Sequence, residues 1–134
     1  MKKAICLVLV LLFLTACGQN KEEIKQTETT REAVYVNITA AEAKRLMDTE
    51  ENYIILDTRE QEEFDESHIP GAVLLPYHEV LEKAEAMLPD KGQLILVYCR
   101  SGRRSKLASE DLVKLGYTNI KEFGGIIDWP YEVE

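Results

Sequence analysis

Short apolar runs alternate with helical patterns along this chain, and this alternation constrains the fold more than any other feature. The runs YIIL (53–56), AVLL (72–75) and LILVY (94–98) are continuous and lie close to turn residues, as in strands buried on both faces. The weaker runs VYVNI (34–38) and NIKEF (119–123) are predicted to be edge strands. We therefore predict an α/β domain with a mostly parallel central sheet and helices on both faces.

Three helices are predicted between these strands. Thr39 followed by Glu42 is a capping-box pattern at the start of the first helix. Gly116 stands where a glycine commonly ends a helix, after the third helical pattern. The apolar positions that mark the second and third helices are Val80, Leu81, Ala84 and Leu88, then Leu107, Ala108, Leu112 and Leu115.

The segment CRSGRR (99–104) directly follows the predicted strand 94–98. A strand, a glycine-containing loop and a helix together form a nest of backbone N–H groups that binds anions. Ligands of parallel sheets lie beyond the carboxyl ends of the strands, where Cys99 is expected. Gly102 allows the positive φ of a tight loop, and Ser105 is placed to cap or start the next helix.

Cys99 is the candidate nucleophile. A free cysteine has a pKa of about 8.5, and helix N-termini and neighbouring arginines lower it to between about 3.5 and 7.5. Arg100, Arg103 and Arg104 supply that positive charge and a site for an anionic substrate. Two alternatives stay open at this point, namely an anion-binding loop with an incidental cysteine and a buried, inert cysteine.

The first residues have the layout of a secretory signal peptide. MKK is basic, and residues 4–16 form an uncharged, mostly apolar run of 13 residues, short of the roughly 20 needed to span a bilayer. The run ends in Leu14-Thr15-Ala16-Cys17, which resembles the lipobox of bacterial lipoproteins. In that family the signal peptide is cut before the cysteine, whose sulfur carries a diacylglycerol. An ordinary small-residue cleavage site is the alternative.

This resemblance implies three segments: a signal peptide (1–16), a lipidated Cys17 with a flexible polar tether (17–32), and a domain (33–134). It also implies an exported protein that is lipid-anchored to the cell envelope, in the periplasm or on the outer face of the cytoplasmic membrane. Cys6 is then removed and Cys17 is lipidated, so Cys99 has no cysteine partner. A single thiol in an oxidising compartment indicates reactivity.

The charge of the chain narrows the choice of partners. The net charge is −8, from 24 acidic and 16 basic residues, and removal of residues 1–16 with Lys2 and Lys3 makes the chain more acidic. Nucleic acid is therefore not an expected partner, because phosphate backbones require basic surfaces. We expect a monomer that meets the membrane through its lipid anchor.

Three motifs together carry a family resemblance. CRSGRRS (99–105) resembles the active-site loop of single-domain rhodaneses, which are thiosulfate and persulfide sulfurtransferases. LDTREQEEFDESHIPGAVLLP (56–76) resembles the upstream signature of the family, and FGGIIDWPYEVE (123–134) its closing segment. The resemblance spans about residues 35–134, with Ser67 standing where many members have glycine.

The resemblance implies the rhodanese-like fold and a sulfurtransferase mechanism. The Cys99 thiolate would attack the outer sulfur of thiosulfate and expel sulfite, and cyanide or a thiol would then remove the sulfur from the resulting persulfide. The implied partners are a small anionic sulfur donor and a thiol acceptor, with no metal and no cofactor. The residues implied to bind the substrate are Arg100, Ser101, Gly102, Arg103, Arg104 and Ser105.

The sequence of the same loop indicates which of the related activities to expect. Phosphatases and arsenate reductases of this fold have an arginine six residues after the thiol, where this chain has Ser105. Mercaptopyruvate-using relatives have small, uncharged loops, whereas the arginines here favour thiosulfate. The main alternative is a low-turnover sulfur carrier or an anion- or partner-binding module at the membrane surface. A thiol redox role would need a resolving thiol from elsewhere, because the chain has no C-x-x-C pair.

Other polar and aromatic residues are predicted to be structural. Asp57 and Arg59 either border the site or form an ion pair, and His68 is expected to order the turn at 69–71. Trp129 is expected in the core. An acidic run is predicted to be a solvated helix face, and it comprises Glu60, Glu62, Glu63, Asp65 and Glu66.

Overall fold

The computed structural model describes residues 34–134; the predicted signal peptide (1–16), Cys17 and the tether (17–32) lie outside the described residues. Two short 3-10 turns cover Tyr77–Glu79 and Ile126–Asp128. The main elements of the described part are β1 (Val36–Asn37), α1 (Ala40–Thr49), β2 (Tyr53–Asp57), α2 (Gln61–Glu66), β3 (Val73–Leu74), α3 (Val80–Met87), β4 (Leu94–Cys99), α4 (Arg103–Lys114) and β5 (Ile120–Gly125).

The strands form one sheet in the order β1-β5-β4-β2-β3, and every pair of neighbours is parallel. The central strand β4 is buried along its whole length, and its residues alternate between two apolar clusters. Ile95 and Val97 pack with residues of α3 and α4, whereas Leu96 and Tyr98 pack in the cluster that contains Ala43 of α1. The predicted parallel sheet with helices on both faces is therefore confirmed.

The predicted positions of two strands within the sheet were wrong. β5 is an interior strand between β1 and β4, although NIKEF was predicted to be an edge strand. β3 is an edge strand of two residues with Val73 exposed, although AVLL was predicted to be buried on both faces. The weak apolar signal of β5 has a physical cause, because the polar residue Glu122 is buried in it.

Thr39 caps α1 and Gly116 follows α4, as predicted, although only the Thr39 half of the predicted capping box is found. The Thr39 hydroxyl accepts a hydrogen bond from the N–H of Glu42 (3.1 Å) at the start of α1. Gly116 has φ +91° just beyond α4, and its N–H donates to the carbonyl of Val113 (3.0 Å). The second and third predicted helices are present, but two of the apolar residues that mark them, Leu81 and Leu107, are exposed rather than packed against the sheet.

The reason for this difference is the helical period. Val80 and Ala84 are four residues apart and share the buried face of α3, which leaves the side chain of Leu81 about 100° away from it. Ala108 and Leu112 share the buried face of α4 in the same way. Within residues 34–134, no helix is long and apolar enough to cross a membrane.

Candidate active site

Cys99 is the last residue of β4 and is 1% exposed. Its Sγ accepts a hydrogen bond from the N–H of Gly102 (3.0 Å) and lies 3.3 Å from the Ser105 hydroxyl. Burial raises the pKa of the Cys99 thiol, but the Ser105 hydroxyl and the N–H groups of Ser105, Gly102 and Ser101 outweigh it, so the pKa is lowered. The loop therefore stabilises a thiolate by hydrogen bonding to the charged form.

Glycines allow the loop to close around this sulfur. Gly102 has φ +103° and directly precedes α4, so the loop turns into the helix at this residue. Gly125 of β5 lies under the loop, and a Cβ built on it would be 2.0 Å from the Arg100 carbonyl oxygen. Only a glycine at 125 permits this close approach of two backbones.

A β-bulge brings β5 into that position. Val97 pairs with Glu122 and Cys99 pairs with Gly125, so β5 carries one more residue than β4 between the two pairs. Gly124, with φ +90°, lies in the bulge. Such bulges re-aim side chains next to sites, and here the bulge places Glu122 behind the loop.

The three arginines of the loop differ in their surroundings. Arg100 and Arg103 are exposed, and the Arg103 guanidinium lies over the Tyr77 ring, 5.9 Å from its centroid. Arg104 instead donates two hydrogen bonds to the carboxylate of Glu63 on α2, at 2.6 and 2.8 Å. This pairing lowers the pKa of Glu63 to about 2. The prediction that the whole acidic run is a solvated face was therefore wrong for Glu63.

Ser105 lies in the first turn of α4, where it is fully buried, and Gly102 rather than Ser105 is the residue before the helix. Its hydroxyl is 2.6 Å from Oε1 of Glu122. Sequence reasoning missed Glu122. The period of two along a strand was a usable signal, because it places Glu122 on the same face of β5 as the buried Ile120.

Asp57 and Arg59 form a buried ion pair that the Tyr98 hydroxyl completes. Arg59 Nη2 donates to Asp57 Oδ2 at 2.7 Å and to the Ser67 carbonyl oxygen at 2.7 Å. Tyr98 donates to Asp57 Oδ2 at 2.5 Å, and its pKa is raised first by burial and then by the Asp57 charge. The structural interpretation of the pair thus has the contacts to support it.

His68 and Trp129 are both held by the C-terminal segment. The predicted role of His68 at the turn was wrong, because its Nδ1 lies 2.9 Å from the Phe64 carbonyl oxygen and its backbone pairs with Glu134 in both directions. Trp129 is buried in the core as predicted, and its Nε1 donates to the Glu132 carbonyl oxygen.

Two further observations on the described part of the chain concern a cavity and possible metal ligands. A cavity of about 560 Å³ is lined by Ile55, Ile69, Trp129 and neighbouring residues, none of them from the loop 99–105. Among residues 34–134, no group of three or more His, Cys, Asp or Glu side chains is placed to hold a metal ion.

The described part of the chain thus combines a parallel α/β sheet with a thiol that a loop of N–H donors surrounds. Comparison with known families identifies the family to which this arrangement belongs. The sequence-family model for the rhodanese-like domain matches residues 39–130 of this chain. The chain belongs to the rhodanese-like domain family, as its loop and closing motif indicated.

Known proteins with similar sequences are named as sulfurtransferases. The thiosulfate sulfurtransferase PspE of Escherichia coli is 38% identical over 73 residues, which cover 54% of this chain and 70% of PspE. The adenylyltransferase and sulfurtransferase UBA4 of Meyerozyma guilliermondii is 36% identical over 91 residues, covering 62% of this chain. This chain spans only 21% of UBA4, about a fifth of its length.

A solved structure supports the same assignment. A rhodanese with anions from Escherichia coli has a TM-score of 0.58 and 34% identity to this chain, covering 61% of this chain and 96% of the solved one. Sequence and structure comparisons therefore agree on the family.

Proposed function

We propose that this protein is a sulfurtransferase that moves sulfane sulfur from thiosulfate or a related donor to cyanide or a thiol, through a persulfide on Cys99. The observation that carries the proposal is the loop itself. Its buried sulfur accepts a hydrogen bond from the Gly102 N–H (3.0 Å), and the pKa of Cys99 is lowered. The name of the relative PspE supports thiosulfate as the donor.

The first half-reaction forms the persulfide. The Cys99 thiolate attacks the outer sulfur of thiosulfate, a sulfur–sulfur bond forms on Cys99, and the bond to the sulfite group breaks with its electron pair leaving on sulfite. The exposed Arg100 and Arg103 attract the dianion, whereas the charge of Arg104 is paired with Glu63. The N–H groups of the loop stabilise the negative sulfur before and after transfer.

The second half-reaction returns the free thiolate. Cyanide or a thiolate attacks the outer sulfur of the persulfide, and the electron pair of the broken bond returns to Cys99 Sγ. Because Cys99 is 1% exposed, only a small or slender acceptor reaches this sulfur without displacing the loop. The same enclosure supports a second candidate, a low-turnover sulfur carrier that forms the persulfide and releases it slowly.

Intact mass of the purified full-length chain tests both candidates. After treatment with thiosulfate, the chain is expected to gain one sulfur atom, and cyanide should remove it as thiocyanate. Cys99→Ser should gain none. A persulfide that forms but resists cyanide and thiols identifies the carrier, and no gain from thiosulfate, mercaptopyruvate or a small persulfide refutes both.

We also propose that the chain is exported and lipid-anchored through Cys17, as a monomer. The sequence Leu14-Thr15-Ala16-Cys17 after an apolar run supports this. The chain extracted from membranes should begin at Cys17 and carry acyl mass, and Cys17→Ser should lose both features. A wild-type chain that retains residues 1–16 and is free of lipid contradicts the proposal.

A further inference from the structure

Glu122 is a buried carboxylate directly behind the thiol loop. The residue is 2% exposed, and its Oε1 accepts hydrogen bonds from the Ser105 hydroxyl (2.6 Å) and the Gly124 N–H (2.9 Å). Glu122 takes part in none of the ion pairs found within residues 34–134. A buried carboxylate without a cation is costly unless hydrogen bonds stabilise it, and the Ser105 hydroxyl is one of its two donors.

Ser105 connects this carboxylate to the thiol. Its Oγ lies 2.6 Å from Glu122 Oε1 and 3.3 Å from Cys99 Sγ, but a hydroxyl carries only one hydrogen to donate. With Glu122 ionised, Ser105 donates to Glu122, and its lone pair is free to accept from the Cys99 S–H. With Glu122 protonated, the acid donates to Ser105, and Ser105 donates to a Cys99 thiolate.

We propose that Glu122 accepts the proton of Cys99 through the Ser105 hydroxyl. The proton leaves Sγ for Oγ while the hydroxyl proton passes from Oγ to Oε1, and sulfur keeps the electron pair of the broken S–H bond. The step turns a thiol and a carboxylate into a thiolate and a carboxylic acid, with no change in net charge. No water or outside base is required.

Glu122 is thus a positioning residue that acts through Ser105, since it does not contact the sulfur donor. The proposal rests on the proposed function only where it takes Cys99 as the reacting thiol. Two other groups on neighbouring elements face the pair. Arg104 of α4 interacts with the Cys99 charge, and Tyr35, which precedes β1, interacts with the Glu122 charge.

A pH profile of alkylation on the full-length chain tests the coupling. The rate at Cys99 is followed with iodoacetamide by mass spectrometry of the Cys99 peptide. Two groups that share a proton titrate in two macroscopic steps, so the wild-type rate should rise in two steps with pH. Glu122→Gln and Ser105→Ala should each give one step, whereas Glu110→Gln, an exposed change on α4, should keep two.

Infrared spectroscopy gives a readout on the unaltered chain. At a pH on the plateau between the two steps, a carboxylic acid carbonyl band should be present, and it should vanish when Cys99 is alkylated and in Glu122→Gln. A single alkylation step with the same midpoint in wild type and Glu122→Gln, or the absence of the acid band, overturns the proposal. If persulfide still forms when the proton-transfer proposal has failed, the proposed function remains supported. If alkylation shows two coupled steps but no persulfide forms, the proposed function fails and the proton-transfer proposal remains supported.

Discussion

Glu63 on α2 and Arg104 on α4 form a two-bond ion pair across 41 positions of sequence, with N–O distances of 2.6 and 2.8 Å. The pair connects the first turn of α4, where the thiol loop ends, to α2, the helix that follows β2. The Arg104 side chain is therefore held against Glu63, whereas the side chains of Arg100 and Arg103 are exposed.

We expect Glu63→Gln to destabilise the protein by about 1 kcal/mol at neutral pH, because the pair is bidentate but partly exposed to solvent. Arg104 lowers the pKa of Glu63 to about 2, below the ordinary value of about 4.3. This contribution is therefore complete above about pH 4.3 and is lost as pH falls towards 2. Urea unfolding of both chains at pH 7 and at pH 3 measures the difference.

Glu62→Gln is the matched control for this change. Glu62 lies one position away on α2, is exposed and loses the same charge. Its stability should stay within about 0.5 kcal/mol of wild type at both pH values. An equal loss in the two variants would show that the ion pair contributes nothing specific.

Gly125→Ala is expected to displace the thiol loop. The new Cβ would lie 2.0 Å from the Arg100 carbonyl oxygen and 2.6 Å from Ser101 Cα, both backbone atoms. The loop must move, and a shift of about 1 Å in a reacting group costs roughly a hundredfold in rate. Gly92→Ala is the control, because its Cβ would meet only the Asp90 side chain at 3.4 Å. Thiocyanate release by the two variants, compared at equal folded fraction, measures the effect.

Arg100→Gln and Arg103→Gln should each weaken thiosulfate use by raising KM about fivefold, which corresponds to about 1 kcal/mol for an exposed charge. Because both side chains are exposed, the wild-type KM should also rise with ionic strength. Lys106→Gln, an exposed change of equal charge on α4, should leave KM almost unchanged. If KM rises by the same factor in all three variants, the overall charge of the chain, rather than the loop arginines, attracts the donor.

Alkylation of Cys99 should be half-maximal at a pH below about 8.5, because the loop lowers the pKa of the thiol. The associated stability is complete above that unfolded value and is lost as pH falls through the folded pKa. Ser105→Ala removes the hydroxyl that lies 3.3 Å from Sγ and should move the profile to higher pH. A midpoint at or above 8.5 in the folded wild type would contradict the hydrogen-bonded thiolate.

The sequence predicts the parallel sheet because its buried runs are continuous, and it predicts the loop because Cys99 to Ser105 are neighbours in the chain. Contacts between distant residues are not encoded in this way. Ser105 and Glu122 are 17 positions apart, and their pairing depends on the β5 bulge and on the strand order. Strand order is set by how the helices cover both faces, which explains why β3 and β5 were misplaced.

The burial of Cys99 also limits the oxidation of its thiol to a disulfide. A disulfide requires two sulfur atoms about 2.05 Å apart with their Cβ atoms about 3.8 Å apart. Two copies of this chain cannot bring their Cys99 sulfurs so close while each loop surrounds its own sulfur and leaves the residue 1% exposed. The loop that prepares the thiol for small anions therefore also keeps it from crosslinking one chain to the next.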